Sequence, residues 1–378
     1  MHICFMMSTP YPPEEGIGNY VYGLSKKLIE RGHNVTIITR GTWNKTQREV
    51  IDGVEVIKVQ FIPFYPFYIH LHGIFVNKIF RSLESQIDIV HIHSPLPPFI
   101  ETSLPIITTV HSPKFVDFSR AKVTSFYSLF SKISARFVSY SIELKLLQTS
   151  DIVTTLSRSI AQELKRYYLD TGKICVISNG VDEKFFVPAK DSIENGNKYI
   201  LYVGRIDREK GLFDLIDCGK YMCNERSDIS FLLAGKGRDL DTLKKKAEKL
   251  GLQDKFIFLG QVGREQLVRL YQKSTIFAFP SYHEGIPTAV LEAMSCGLPI
   301  IATNVRGNRD LISHGKNGIL VPPWSPKEMA ETILMLLGDD KMKKELGTNA
   351  RKTIEAKFTW DIVSTKILHC YESLNKIK

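Results

Sequence analysis

The stretch Ser281-Tyr282-His283-Glu284-Gly285-Ile286-Pro287-Thr288-Ala289-Val290-Leu291-Glu292 carries the sharpest chemistry in the chain. Glu284 falls at the end of a strand-like run, just before a helix that Pro287 can open. Glu292 lies inside that helix beside Val290, Leu291, Ala293 and Met294, and a carboxylate among apolar neighbours needs a partner or a ligand. One carboxylate accepts several hydrogen bonds, which suits a polyol, and free amides at a helix start suit a sugar or a phosphate. Two carboxylates could instead do hydrolytic acid–base work.

Residues 204–211 (GRIDREKG) put Arg205 and Lys210 on a loop feeding a helix. A planar guanidinium fork and an ammonium point charge could grip a pyrophosphate there; alternatively Asp207 and Glu209 neutralise both in a solvated loop. Residues 14–19 (EGIGN after Glu14) stand between the first strand and the first helix. Gly16 and Gly18 would let backbone approach a ligand, with helix-start amides for an anion, or they form a tight turn. The third glycine of the dinucleotide fingerprint is missing. Asp239-Leu240-Asp241 precedes a lysine-rich helix and reads as its cap rather than as a metal site. His70-x-His72 and His91-x-His93 could each set two imidazoles on one face at strand spacing, but no thiolate or carboxylate cluster accompanies them, so no metal is expected.

The elements that must position these residues alternate along the chain. Strand-like runs at 2–7, 35–39, 54–59, 87–92, 106–110 and 152–155 are separated by amphipathic stretches, among them a helix over 19–31. The polar stretch 191–198 reads as a linker. The pattern then restarts with strands at 199–203, 230–234, 255–259, 275–279, 298–302 and 318–321 and helices at 211–223, 239–250, 264–272 and 287–295; beyond Ser325 it is helical. The expectation is an α/β protein of two Rossmann-like, doubly wound domains facing across a cleft, with ligands beyond the carboxyl ends of the strands.

Composition narrows the class. The chain has 378 residues, 43% apolar and 24% charged, which suits globular domains rather than disorder. The longest apolar stretch, 61–76, is broken by Pro63, Pro66, His70, His72 and Gly73, whereas a spanning helix wants about 20 apolar residues. No secretory leader is evident. Six scattered cysteines form no zinc or disulfide framework, so a reduced, cytoplasmic compartment is expected. Fifty Lys and Arg against 40 Asp and Glu give a net charge of +10. Half of that excess lies in 111–173, where ten basic and five acidic residues interleave with Phe115, Phe118, Phe126, Tyr127, Phe130, Phe137 and Tyr140. This segment and the aromatic 61–76 suit an anionic membrane surface or lipid-phosphate acceptor, or a core with a solvated face. Scattered basic residues without a reader motif do not suit nucleic acid.

The string FPSYHEGIPTAVLEAMSCGLPIIAT, with Glu284 and Glu292 spaced as E-x7-E, resembles the signature of the retaining glycosyltransferase family 4, which has the GT-B fold. EGIGNY, DIVHIHS, TTVHS, LSRS, ISNGVD, YVGRIDREKG, LLAGKG and the closing Phe358-Thr359-Trp360 extend the resemblance over nearly the whole chain. It implies an acceptor-side domain over 1–190, a nucleotide-sugar domain over 191–360, and a C-terminal helix, 361–378, packing back on the first. Arg205 and Lys210 would hold the donor diphosphate, with Gly16 and Gly18 shaping the floor beside it. Glu284 would contact the donor sugar, with amides of Gly285, Ile286 and Pro287 alongside, and Glu292 the ribose. His111 would lie near the donor sugar and the reaction centre, and the 260–263 loop near the base. Where many members carry a glycine pair and a Glu, this chain reads Val305-Arg306-Gly307-Asn308-Arg309-Asp310; Asp310 would replace the Glu, and Arg306 or Arg309 would add charge near the phosphates. The implied function is metal- and cofactor-independent transfer from a nucleoside-diphosphate sugar, of which UDP-sugar is the expected form, to a lipid-linked or membrane glycan acceptor. The enzyme would be cytoplasmic, peripheral to the inner face of the membrane. A nucleotide-sugar epimerase and a non-catalytic sugar-nucleotide-binding subunit remain as alternatives.

Overall fold

Continuous apolar runs become parallel strands because both faces of each must be covered. The computed structural model describes the chain apart from residues 12–15, 65–66, 96, 114–139, 166–170, 191–195, 224–225 and 376–378. About half of the basic–aromatic segment, with all its aromatics named above except Tyr140, and most of the expected linker therefore lie outside the described residues, as do Glu14 and Glu15. The chain divides into two units, Met1–Gly180 with Trp360–Lys378, and Val181–Thr359.

In the first unit the strands are β1 (His2–Met6), β2 (Asn34–Arg40), β3 (Gln47–Ile51), β4 (Val54–Val59), β5 (Ile89–Ser94), β6 (Ile106–Val110), β7 (Ile152–Thr155) and β8 (Ile174–Val176). They form one sheet in the order β3-β4-β2-β1-β5-β6-β7-β8, parallel except for the antiparallel pair β3–β4. Strand β3 is absent from the sequence reading because it is a polar edge strand; its one signal is Asp52-Gly53, whose φ values of 50° and 79° make the tight hairpin turn. Strand order reverses between β1 and β5, which fixes the crevice at their carboxyl ends. Helix α1 (Gly16–Glu30) follows β1 and buries Tyr20, Val21, Leu24 and Leu28 on one face. Helix α2 (Tyr68–Arg81) buries Ile69, His72, Val76 and Phe80. His70 and His72 thus sit on a helix, not a strand, and point apart: His70 is exposed while buried His72 shares a hydrogen bond with the Gln60 carbonyl at 3.1 Å. Helix α3 (Tyr140–Thr149) precedes β7, and α4 (Arg158–Leu164) follows it, capped by Ser157 accepting from the Ile160 amide.

The second unit repeats the logic with β9 (Lys198–Val203), β10 (Ile229–Ala234), β11 (Phe256–Gly260), β12 (Ile276–Phe279), β13 (Ile300–Thr303) and β14 (Ile319–Val321) in the order β11-β10-β9-β12-β13-β14. Here the reversal falls between β9 and β12. Connecting helices are α5 (Leu212–Cys223), α6 (Leu240–Lys249), α7 (Arg264–Lys273), α8 (Thr288–Ser295) and the short α9 (Arg306–Leu311), followed by α10 (Pro326–Leu337) and α11 (Asp340–Lys357). Asp239 precedes α6 but its side chain makes no cap bond; it accepts from the backbone amide of Arg208 at 2.8 Å and ties the 204–211 loop down.

The chain then returns to the first unit as α12 (Trp360–Asn375), which packs on α1. Lys27 forms an ion pair with Asp361 at 3.2 Å. The first unit ends at Gly180, ahead of the expected 190, because the residues after it are bonded into the second: Arg351 donates to the carbonyls of Glu183 and Phe186, and Gln272 to that of Val187.

Candidate functional site

In the second unit the site grows from one tight turn. After β9 the chain closes a single helical turn at Arg208–Lys210 and leaves through Gly211 at φ 68°. A Cβ on Gly211 would stand 2.0 Å from the Pro280 carbonyl oxygen, so only glycine lets this turn abut the end of β12. That approach brings Lys210 Nζ to 2.6 Å from Glu284 Oε1, with the two side chains 16% and 10% exposed. A half-enclosed cation and carboxylate therefore stand together at the carboxyl ends of β9 and β12, where the strand order reverses.

The 281–287 loop is fixed from behind. Tyr282 donates its amide to the Glu209 carbonyl at 3.0 Å, and Thr303 its hydroxyl to the Ser281 carbonyl. Arg306, 7% exposed, donates Nε to the Glu284 carbonyl at 2.8 Å, while its terminal nitrogen meets His283 Nε2 at 2.8 Å. This guanidinium organises the loop that carries Glu284. Gly307 permits the contact, since its Cβ would lie 1.8 Å from the Gly285 carbonyl oxygen. Neither role was legible in sequence, where both residues showed only as a departure from a pattern. Ile286 is 7% exposed. Pro287 caps α8 without an N–H, so the expected amide at that position does not exist and donors there come from Gly285, Ile286 and the first turn of α8.

Two expected members lie apart from the pair. Arg205 is 59% exposed and makes its ion pair with Asp207 at 3.4 Å, an acid that Arg238 also approaches at 3.7 Å. Glu292 accepts from the hydroxyl of fully buried Tyr271 at 2.9 Å. Burial pushes the Glu292 carboxyl up to about 7, against smaller opposing effects from the Tyr271 hydrogen bond and the Arg264 charge.

In the first unit, His111 follows β6 at the carboxyl edge of the sheet and is 8% exposed. His91 and His93, two apart on β5, share one sheet face and stack with centroids 4.5 Å apart. His91 joins Tyr371 OH at 2.7 Å through Nδ1 and Thr109 Oγ1 at 2.6 Å through Nε2, so both its nitrogens are engaged. His93 Nδ1 meets His111 Nε2 at 3.2 Å. Burial drives His91 and His111 down to about 3 and His93 well below its ordinary value; all three rings are neutral at pH 7. Tyr20 of α1 meets the rings of His93 and His111 edge-on at 5.5 and 5.1 Å. Gly16 and Gly18 lie in the first turn of α1, which starts ahead of the expected residue 19, where helix amides have no intrahelical acceptor. Among the described residues, nothing stands within 4 Å of where a Gly16 Cβ would be.

Among the described residues, no group of three or more His, Cys, Asp or Glu could hold a metal ion, and no helix is long and apolar enough to cross a membrane.

Comparison with known proteins matches residues 15–185 to the family described as Glycosyltransferase Family 4 and residues 183–353 to that described as Glycosyl transferases group 1. An uncharacterised glycosyltransferase of Methanocaldococcus jannaschii is 27% identical over 97% of both chains. Among solved structures, the sucrose-phosphate synthase of Thermosynechococcus elongatus superposes with a TM-score of 0.84 at 22% identity over the full length of both chains. Anabaena HepE in complex with UDP-glucose gives 0.75 at 17% identity over 99% of this chain and 100% of its own.

Proposed function

The chain belongs to glycosyltransferase family 4 and has the GT-B fold, and from that premise we propose that it transfers a sugar from a UDP-sugar to a lipid-linked or membrane glycan acceptor, with retention and without a metal. The observation that carries the reading is the Lys210–Glu284 pair, 2.6 Å apart at the carboxyl ends of β9 and β12. An ammonium has three donors. With one on Glu284, two remain for oxygens of the donor diphosphate, and Arg205 would add its guanidinium by turning from Asp207. The carboxylate accepts from hydroxyls of the donor sugar, next to the amides of Gly285 and Ile286, while Glu292 takes the ribose. As the bond from the anomeric carbon to the diphosphate breaks, charge grows on the leaving oxygen; Lys210 and helix-start amides stabilise it in place. The acceptor oxygen bonds to the same face of that carbon, and its proton passes to the departing diphosphate. A trapped covalent sugar–protein adduct would overturn this same-face step.

Support for a UDP-sugar comes from the bound ligand of HepE. Support for a membrane acceptor comes from α2 and the residue before it. Phe67, His70, Ile74, Lys78 and Arg81 are exposed at spacings of one helix face, apolar at one end and basic at the other. Phe64, 61% exposed, stacks on Phe67. Such a stripe fits the surface of an anionic bilayer on the cytoplasmic side.

Calorimetry with uridine, guanosine and adenosine diphosphates and their sugars, in EDTA, tests the reading. One nucleotide should bind to the wild type, and Lys210→Ala should weaken it by roughly ten- to a hundredfold, the worth of a charge-assisted bond or two. Absence of binding until a divalent metal is added would overturn metal independence.

A further inference from the structure

We propose that Trp324 is a positioning residue for the donor site of the second unit: its ring clamps Tyr282, and Tyr282 holds together the two loops whose meeting sets Lys210 against Glu284. The link to the donor diphosphate rests on the reading above; the clamp itself stands on geometry within the second unit.

Trp324 lies in the segment 321–326 (VPPWSP), between the carboxyl end of β14 and the start of α10. Pro322 and Pro323 fix their own φ, and Ser325, which precedes Pro326, stands at φ −123°. The reversal of the chain therefore falls on Trp324, at φ 58°. That left-handed region favours glycine and is costly for a bulky side chain. Burial does not offset the cost, since Trp324 is 66% exposed. Its indole lies instead on the ring of Tyr282, with centroids 4.9 Å apart and planes 26° from parallel. A backbone conformation of this kind is kept where the side chain it presents has a task.

The task follows from what Tyr282 joins. Its amide donates to the carbonyl of Glu209 at 3.0 Å, the residue before Lys210. Its hydroxyl faces the carboxylate of Asp214 in the first turn of α5, and burial together with that carboxylate keeps the phenol neutral. Asp214 in turn donates its amide to the Gly211 carbonyl at 3.0 Å. Tyr282 thus grips the 208–214 segment on both sides of Lys210 and Gly211, through its backbone at one end and its ring at the other. Glu284 is two residues further along the same loop. With one face of the ring covered by Trp324, Tyr282 is held in place and so is the register of the two loops. A ring free to swing out would loosen the Tyr282 amide and with it the approach of Lys210 to Glu284, and a site of this kind loses much from a displacement of about 1 Å.

Calorimetric binding of UDP and amide hydrogen exchange, both on the full-length protein, test this. Trp324→Gly should melt near the wild type, since glycine takes φ 58° freely. It should nevertheless exchange the Tyr282 amide faster and bind UDP more weakly, each by roughly fivefold, the scale of one aromatic pair. Trp324→Phe keeps a ring for Tyr282 and should restore both. Tyr282→Leu should match Trp324→Gly, and the double variant should bind no more weakly than either alone, as residues acting in series do. In a Lys210→Ala background, Trp324→Gly should weaken UDP no further. Unaltered exchange of the Tyr282 amide or undiminished UDP affinity in Trp324→Gly overturns the proposal. So does a full fivefold loss in the Lys210→Ala background, which would make Trp324 a direct contact of the nucleotide. If the wild type binds no UDP, the donor-site reading fails instead, and the exchange of the Tyr282 amide decides the clamp.

Discussion

Glu292 and Glu284 are the same residue type eight positions apart, and their surroundings give them different tasks. Glu284 is neutralised by Lys210 at 2.6 Å; Glu292 accepts from the Tyr271 phenol, and burial pushes its carboxyl up to about 7. An ionised carboxylate accepts from two hydroxyls at once, whereas its protonated form surrenders part of that capacity. Affinity for a UDP-sugar, whose diphosphate does not titrate in this range, should therefore rise about tenfold from pH 6 to pH 8 as the acid ionises. Glu292→Gln should bind weakly and without pH dependence; calorimetry across that range checks both. Stability runs the opposite way. The folded state holds this proton more tightly than the unfolded chain, so the contribution is present below the ordinary carboxylate value and lost as pH rises through about 7. The spacing of the two acids was legible in the sequence. Their division of labour was not, because it depends on Tyr271, which lies on a different helix.

At the scale of elements, the buried parallel strands were legible because each is an unbroken apolar run, and β3 was not because an edge strand needs no such run. The Lys210–Glu284 contact is a meeting of two loops that only Gly211 allows, a fact of three-dimensional approach that spacing does not encode. Gly307 plays the same part between α9 and the 281–287 loop. Gly307→Ala would place a Cβ 1.8 Å from the Gly285 carbonyl oxygen; backbone there must shift, at a cost of about 1–3 kcal/mol. We expect kcat for transfer to fall at least tenfold while the circular dichroism spectrum stays native, since the displaced segment carries Glu284. Helix α2 offers a cleaner separation. Ile74 is 64% exposed, so Ile74→Glu disturbs no core. It should reduce sedimentation with phosphatidylglycerol vesicles several-fold while leaving UDP affinity unchanged; equal vesicle binding by the variant would count against the membrane acceptor.

Across the whole molecule, the chain leaves the first unit after Gly180 and returns to it at Trp360, so the first unit is finished only when the last helix is in place. The residues at that return explain why. Trp360 lies against Gly23 and Gly180, where Cβ atoms would stand 2.2 and 2.5 Å from its ring, and it meets Tyr20 edge-on at 5.6 Å. Tyr20 in turn faces His93 and His111, and Tyr371 of the same final helix holds His91. The tryptophan was visible in the sequence as part of a closing motif; that two distant glycines are cut to receive it was not. Trp360→Ala should cost about 3 kcal/mol, the scale of a large aromatic lost from a packed site, and should lower the melting temperature of the first unit. The ligands proposed for the nucleotide are in the second unit, so UDP affinity should be retained while kcat falls as the histidine row loosens. Scanning calorimetry with and without UDP separates the two effects. A variant that melts normally yet loses nucleotide binding would place Trp360 in the donor site rather than beneath the histidines.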